Sequence, residues 1–262
     1  MNQQTNLEQA LIDAANVAGK LLRENAFTYG TLNWKSKDDP VTAMDKAAER
    51  CIRNALRKAS LCNFLGEEYG FEDNNAERTY IIDPIDGTKS FILRDFNTSV
   101  SIGVEEKNIL TGGIVYDFMR DIMYVGFKGN SYLLHDNKKY PLKREWLLSK
   151  RRVSIDKEIL LKEHFSKQGY SVTEKGGSIA LAMAELAAGN YDAMISRDIG
   201  KGNSWDVAAG YYLLQCNDVV VYDRELKPFD YNNAQNGLVA VRKELQGKIL
   251  EELRAYDVLR KI

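Results

Sequence analysis

A layered α/β fold is what the 262-residue chain predicts, and three features carry that prediction. The first half is rich in strand patterns, the second alternates strand and helix patterns, and no internal repeat or low-complexity linker separates them. The length suits one large domain or two intimate subdomains. We expect an α+β part over residues 1–140 and an α/β part over residues 141–262.

Leu7, Leu11, Ala14, Val17, Ala18, Leu21 and Leu22 recur at helical spacing, so the chain opens with an amphipathic helix. The loop KSKDDPVTAMD runs into a second helix, with Met44, Ala48, Cys51, Ile52 and Ala55 on one face. Thr42 suits its N-cap, and Asp45 sits in the first turn, where a negative charge complements the helix dipole. CNFLGEEYG reads as a short strand meeting a loop, and TYIID as a strand. TSVSIGVEE alternates Val100, Ile102 and Val104 in strand fashion, and GGIVYDFMRDIMYVGF reads as a hairpin turning near Arg120 and Asp121. The basic, mixed segment DNKKYPLKREWLLSKRRV crosses between the halves as a solvated face. Beyond it come a helix near 157–165, a strand near 171–173, and a glycine turn, Ala-rich helix and strand in GGSIALAMAELAAGNYDAMIS. SWDVAAGYYLLQC opens another helix, DVVVYD and GLVAV are strands, and a helix from about Lys243 ends the chain.

Hydrophobic residues make up 44% and charged residues 28%, the balance of a globular protein. A formal net charge of -1 provides no global field to draw in a nucleic acid polymer or an anionic membrane. Three scattered cysteines argue against a disulfide framework, and Cys51 and Cys216 suit core packing. No Cys/His cluster suggests zinc, and His135 and His164 have no sequence neighbour with which to form a triad. The N-terminus lacks the basic start and apolar run of a signal peptide, and no run is long enough to span a membrane. The expected compartment is the cytoplasm.

Acids gather at element ends. Glu67 and Glu68 follow Gly66, Asp83 and Asp86 end a strand, Asp206 follows Trp205 at a helix start, and Asp45 lies in the second helix. Carboxylates as close as Asp83 and Asp86 repel unless a positive charge lies between them. Carboxylates and carbonyls without thiol or imidazole select a hard cation, with Mg2+ the natural choice. Two such ions about 4 Å apart form a clamp for in-line phosphoryl displacement. Gly87 and Thr88 add backbone N–H groups that a phosphate can approach closely and a hydroxyl suited to orienting water.

The ordered set GEE, DPIDGT and WDVAAG resembles the three signatures of the inositol monophosphatase superfamily. PVTAMD, GGIVYD and GGSIALAMAELAAGNYD extend the likeness over nearly the whole chain. The resemblance implies an αβαβα sandwich of the inositol monophosphatase and fructose-1,6-bisphosphatase type, usually homodimeric. It implies a Mg2+-dependent, often lithium-sensitive hydrolase of a small phosphate ester. By position, Glu67, Asp83 and the Ile85 carbonyl would hold one magnesium, and Asp83, Asp86 and Asp206 a second, with Asp83 bridging. A third, looser ion would use Asp38 or Asp39. Thr88, paired with Asp45, would polarise the attacking water, and Glu68 would act near the first metal through water. Gly87 and Thr88 amides would hold phosphate oxygens, Gly177 and Ser178 either line the substrate or cap a helix, and Trp205 packs to aim Asp206.

On substrate, DGTKSF, DPVTAMD and LKPFDY (226–231) look like the bisphosphate nucleotidase branch, and Lys89, Arg197 and Lys201 are either contacts for a second phosphate or solvated surface charges. Ser90 and GKGNSWD depart from that branch. Lys89-Ser90-Phe91 departs from the inositol branch, whose sugar-binding Glu has only Asp198 nearby. The expectation is a nucleotidase-like phosphatase. Inositol-1-monophosphatase is the alternative, then histidinol-phosphate or fructose-1,6-bisphosphate phosphatase. A non-catalytic binding relative would have lost part of the acid set, and here Glu67, Asp83, Asp86 and Asp206 are all present.

Overall fold

The structure, a computed structural model, describes residues 3–26, 32–36, 39–142, 151–197, 199 and 202–259. The first half runs α1 (Gln3–Asn25), β1 (Leu32–Ser36), β2 (Asp39–Thr42), α2 (Ala43–Ala59), β3 (Asn63–Gly66), β4 (Gly70–Glu72), β5 (Arg78–Asp86), α3 (Thr88–Leu93), β6 (Ser99–Glu106), β7 (Ile109–Asp117), β8 (Ile122–Phe127), β9 (Asn130–His135) and β10 (Lys138–Pro141). The second half runs β11 (Arg152–Ile155), α4 (Ile159–Lys167), β12 (Ser171–Thr173), α5 (Ile179–Ala187), β13 (Ala193–Ser196), α6 (Ser204–Gln215), β14 (Val219–Tyr222), β15 (Leu238–Arg242) and α7 (Gln246–Leu259).

Two sheets organise these elements. The larger has eight strands in the order β10-β9-β8-β7-β6-β5-β3-β4, antiparallel except where β3 runs parallel to β5. The smaller has five, β12-β11-β13-β15-β14, with parallel pairing around β11 and antiparallel pairing around β15. Alternation along each strand divides the core into layers. On β7, Ile114 and Tyr116 join α1 and α2, while Val115 between them faces α5 and α6. On β15, Leu238 and Ala240 also meet α5 and α6, while Val239 and Val241 turn to α4 and α7. The result is five layers: α1/α2, the eight-stranded sheet, α5/α6, the five-stranded sheet, and α4/α7. This is the αβαβα arrangement the family resemblance implies.

Small residues let the central helix lie close on the large sheet. A methyl on Gly103 would come 2.9 Å from the Ala208 Cβ, and one on Gly113 would come 2.7 Å from the Ala209 carbonyl oxygen. Ala208 and Ala209 of the WDVAAG segment therefore hold α6 against β6 and β7, and so fix where its first turn lies.

Seven elements escaped the sequence reading: β1, β2, β4, α3, β9, β10 and β11. The segment KSKDDPVTAMD, read as a loop, carries the end of β1 and all of β2, which pair antiparallel. β9 and β10 form a hairpin whose turn residues, Asp136 and Asn137, have φ values of 49° and 59°, the left-handed pair that Asp and Asn tolerate. The basic segment thus contributes a strand before its residues 143–150, which lie outside the described residues. The N-cap expected of the Thr42 side chain also falls outside them. His164 is not solitary: its Nε2 lies 3.1 Å from Glu252 Oε2 and the side chain is only 13% exposed, so it joins α4 to α7. His135 meets the Asp121 carbonyl at 2.9 Å. Among the described residues no helix is long and apolar enough to cross a membrane.

Candidate active site

The DPIDG segment begins inside a strand. β5 pairs with β6 so that Asp83 opposes Ser101 and Asp86 opposes Ser99, with a register shift between them. In a regular strand, residues three apart point to opposite faces. The bulge inserts one extra residue and returns Asp86 to the face of Asp83. Pro84, which cannot donate to a ladder, sits within the bulge, where a strand tolerates it. Gly87 then turns the chain with φ +84°, and a Cβ there would strike the Asn97 carbonyl oxygen at 2.7 Å.

Four carboxylates from three parts of the chain act on one another here. Asp83 and Asp86 are buried, 2% and 6% exposed. Burial raises the pKa of Asp83 well above its ordinary value, and the charges of Glu67, Asp86 and Asp206 raise it further. Burial pushes Asp86 up to about 8, with Asp206 adding to the rise and hydrogen bonds from Ser178 and Ala180 opposing it. Glu67 follows β3, its N–H bonded to the Ile82 carbonyl at 3.1 Å. Asp206 lies in the first turn of α6, where its Oδ2 accepts from the Asn203 N–H at 2.6 Å.

Thr88 and Asp45 meet beside this group. The Thr88 hydroxyl lies 3.2 Å from Asp45 Oδ1 and 3.0 Å from the Ile85 carbonyl oxygen. Asp45 is 1% exposed in the first turn of α2. Ser178 proves to be a cap and a brace. Its hydroxyl donates to Asp86 Oδ2 at 2.5 Å and accepts from the Leu181 N–H at 2.9 Å, while Ala180 N–H also reaches Asp86 at 2.7 Å. Asp86 therefore sits on the N-terminus of α5, where the exposed N–H groups favour an anion.

Not every expected residue joins the cluster. Arg197, read as a phosphate contact, forms a forked pair with Asp257 of α7 at 2.6 and 3.1 Å. Such bidentate geometry commits the guanidinium to that carboxylate. Lys89 is exposed on α3 and Ser90 is buried. Gly177, with φ +88°, packs on the same Asn97 carbonyl as Gly87, so it brings α5 against the β5 turn. Glu68 is half-buried, its N–H held by Glu49 Oε2 at 2.8 Å. Asp38, Asp198 and Lys201 lie outside the described residues, as does the Asp39 side chain.

Several supporting residues gave no functional signal in the sequence reading. Ser99 and Ser101 alternate with Val100 and Ile102, so they project from β6 on the face of the acids. Ser99 Oγ is 2.9 Å from Ser178 Oγ, and Ser101 donates to the Trp205 carbonyl at 3.3 Å, tying the starts of α5 and α6 to the sheet. Thr98 donates to the Asp86 carbonyl at 3.1 Å. The structure buries all three hydroxyls fully, which sequence alone does not show.

Among the described residues, no three His, Cys, Asp or Glu side chains are drawn together tightly enough to hold an ion as they stand. The donor set nonetheless fits a hard divalent cation. Asp83 and Asp86 are desolvated, and the charges acting most strongly on Asp83 are all other carboxylates. Such an unbalanced buried charge is costly until a cation or protons neutralise it.

A pH dependence follows. Both pKa values are raised on folding, so the native state binds more protons than the unfolded chain. The pair's contribution to metal-free stability therefore grows as pH falls from about 8, the Asp86 value, towards ~4, the ordinary aspartate value. In EDTA, the melting temperature of Asp86→Asn relative to wild type should be higher at pH 8 than at pH 5.5. Equal differences at the two pH values would contradict this.

Fold and site together define a carboxylate-built hydrolase of small phosphate esters. Residues 3–257 match the model of the inositol monophosphatase family. The chain is 30% identical to an inositol monophosphatase 1 of Solanum lycopersicum, covering 98% of this chain and 99% of that one. It is also 30% identical to an inositol-1-monophosphatase of Bacillus subtilis, over 82% of this chain and 84% of that one. The structure of an inositol monophosphatase from Anabaena superposes with a TM-score of 0.76 at 25% identity, covering 97% of each chain. The chain belongs to the inositol monophosphatase family and is a phosphoric monoester hydrolase.

These relatives do not support the lean towards a bisphosphate nucleotidase, and the inositol-1-monophosphatase alternative fits them better. The LKPFDY segment that suggested it serves packing: Pro228 bridges to Tyr222, and Phe229 is 8% exposed with its ring 5.2 Å from that of Tyr211.

Proposed function

We propose that this chain hydrolyses inositol monophosphate by direct attack of water on phosphorus, in a Mg2+-dependent reaction without a phosphoenzyme. One observation carries the proposal: Glu67, Asp83, Asp86 and Asp206 act on one another at the buried end of β5, beside the Thr88–Asp45 contact. Glu67, Asp83, Asp86, Asp206 and the Ile85 carbonyl would hold two magnesium ions. Bound there, Mg2+ supplies electrostatic stabilisation to the attacking and leaving oxygens. Thr88, donating to Asp45, accepts a hydrogen bond from the attacking water and orients it. The Gly87 and Thr88 amides hold phosphate oxygens. A homodimer in the cytoplasm completes the reading, on family membership alone.

The test is phosphate release with and without Mg2+ from inositol 1-phosphate, adenosine 3',5'-bisphosphate, histidinol phosphate and fructose 1,6-bisphosphate. Inositol 1-phosphate should be turned over fastest, and only with Mg2+. Faster release from another member would reassign the substrate. No Mg2+-dependent release from any would remove the catalytic reading.

A further inference from the structure

Asp45, Glu49 and Arg53 are spaced four apart on α2 and so form one stripe along the helix. The first meets Thr88. The other two make a buried ion pair, 0% and 4% exposed at their side chains, with Arg53 Nη2 2.7 Å from Glu49 Oε1. Ion pairs this deep lose much hydration and need further hydrogen bonds to persist. Here those bonds go to one place, the hairpin of β3 and β4. Glu49 Oε2 accepts from the Glu68 N–H at 2.8 Å. Arg53 donates to the Gly70 carbonyl at 2.8 Å, and its Nη1 lies 3.0 Å from Glu72 Oε2. The pair thus grips the turn from both ends.

Gly66 has a role in the same contact. A Cβ at this position would lie 2.0 Å from Glu49 Oε1 and 2.9 Å from Arg53 Nη2. Glycine precedes Glu67 because the buried carboxylate occupies the space a side chain would need.

We propose that Glu49, held by Arg53, is a positioning residue for divalent-cation binding: it fixes the backbone on either side of Glu67 and so aims that carboxylate at Asp83. Resting on the proposed metal site above, this makes α2 serve both parts of the centre. Asp45 orients the Thr88 hydroxyl, and Glu49 one turn later orients the acid that shares the cation with Asp83. Outer residues that orient metal ligands alter affinity by about 10–100-fold.

The experiment is calorimetric titration of the purified full chain with Mg2+, alongside thermal melting in EDTA. Glu49→Gln, which keeps the volume and one acceptor oxygen, should bind Mg2+ at least ~10-fold more weakly than wild type. Gly66→Ala retains both ionic residues and displaces the carboxylate, so it should weaken binding in the same sense and serves if Glu49→Gln does not fold. Ile52→Val, a core change on the same helix, should lower the melting temperature without changing Mg2+ affinity. Raised Mg2+ should recover kcat in Glu49→Gln, because the reacting groups are untouched. Unchanged affinity in both Glu49→Gln and Gly66→Ala, whatever their melting temperatures, would overturn the positioning role alone. No Mg2+ uptake by wild type would overturn the metal site and this proposal together.

Discussion

Asp83→Asn should abolish Mg2+-dependent phosphate release, by at least ~10^3-fold or about 4 kcal/mol of transition-state stabilisation, while leaving the fold intact. Asp83 is acted on by the charges of the other three acids, and it is buried on the strand bulge that sets its direction. The amide keeps an oxygen to accept from the Ile85 N–H, a bond of 3.0 Å in the native protein. It also removes a negative charge from a group whose neighbouring charges are carboxylates. Activity and metal-free stability should consequently move in opposite directions: the variant in EDTA should melt at or above the wild-type temperature. Relief of ~1 kcal/mol corresponds to roughly 2–4 °C for a chain near this size. Mg2+ should no longer raise that temperature. Circular dichroism melts with and without Mg2+, set beside the release assay, check both statements. Retained activity would remove Asp83 from the metal site, and a lower melting temperature in EDTA would contradict the account of its burial.

The reach of the sequence can be judged at this same strand. TYIID was legible as a strand because apolar residues precede the acids. Nothing in the letters alone shows that Asp83 and Asp86 share a face, because regular alternation puts residues three apart on opposite sides. Only the pairing with Ser101 and Ser99 exposes the extra residue. The acids themselves stood out because buried-looking runs seldom end in clustered carboxylates. Their braces did not. Ser99, Ser101 and Ser178 are ordinary residue types whose roles arise from contacts as far as 104 positions apart. Glu49 and Arg53 drew no reading, since sequence cannot report that the β3–β4 turn closes over them. Arg197 failed in the opposite sense: a cation near the expected site finds its partner on the last helix, 60 positions on. Local pattern located the elements and the charged groups, whereas long-range closure decided which charges meet.

Thr88→Ala should lower kcat by about 10^2–10^4-fold, the usual reach of a positioned proton-handling group, with KM little changed. The hydroxyl has one proton and two acceptors in this structure, Asp45 Oδ1 at 3.2 Å and the Ile85 carbonyl at 3.0 Å. A cation held by the Ile85 carbonyl would leave Asp45 as the better acceptor. The hydroxyl would then donate to Asp45 and leave its lone pairs free to accept from a water. This coupling would keep Thr88 from orienting water until the site is loaded. Thr88→Ser retains the hydroxyl and should keep most of the rate. Asp45→Asn turns the acceptor carboxylate into an amide and should resemble Thr88→Ala. Because the two residues act as a unit, the double variant should be little worse than either single one. Multiplying losses in the double variant would show that Asp45 and Thr88 act separately, and full activity in Thr88→Ala would assign the attacking water to another group.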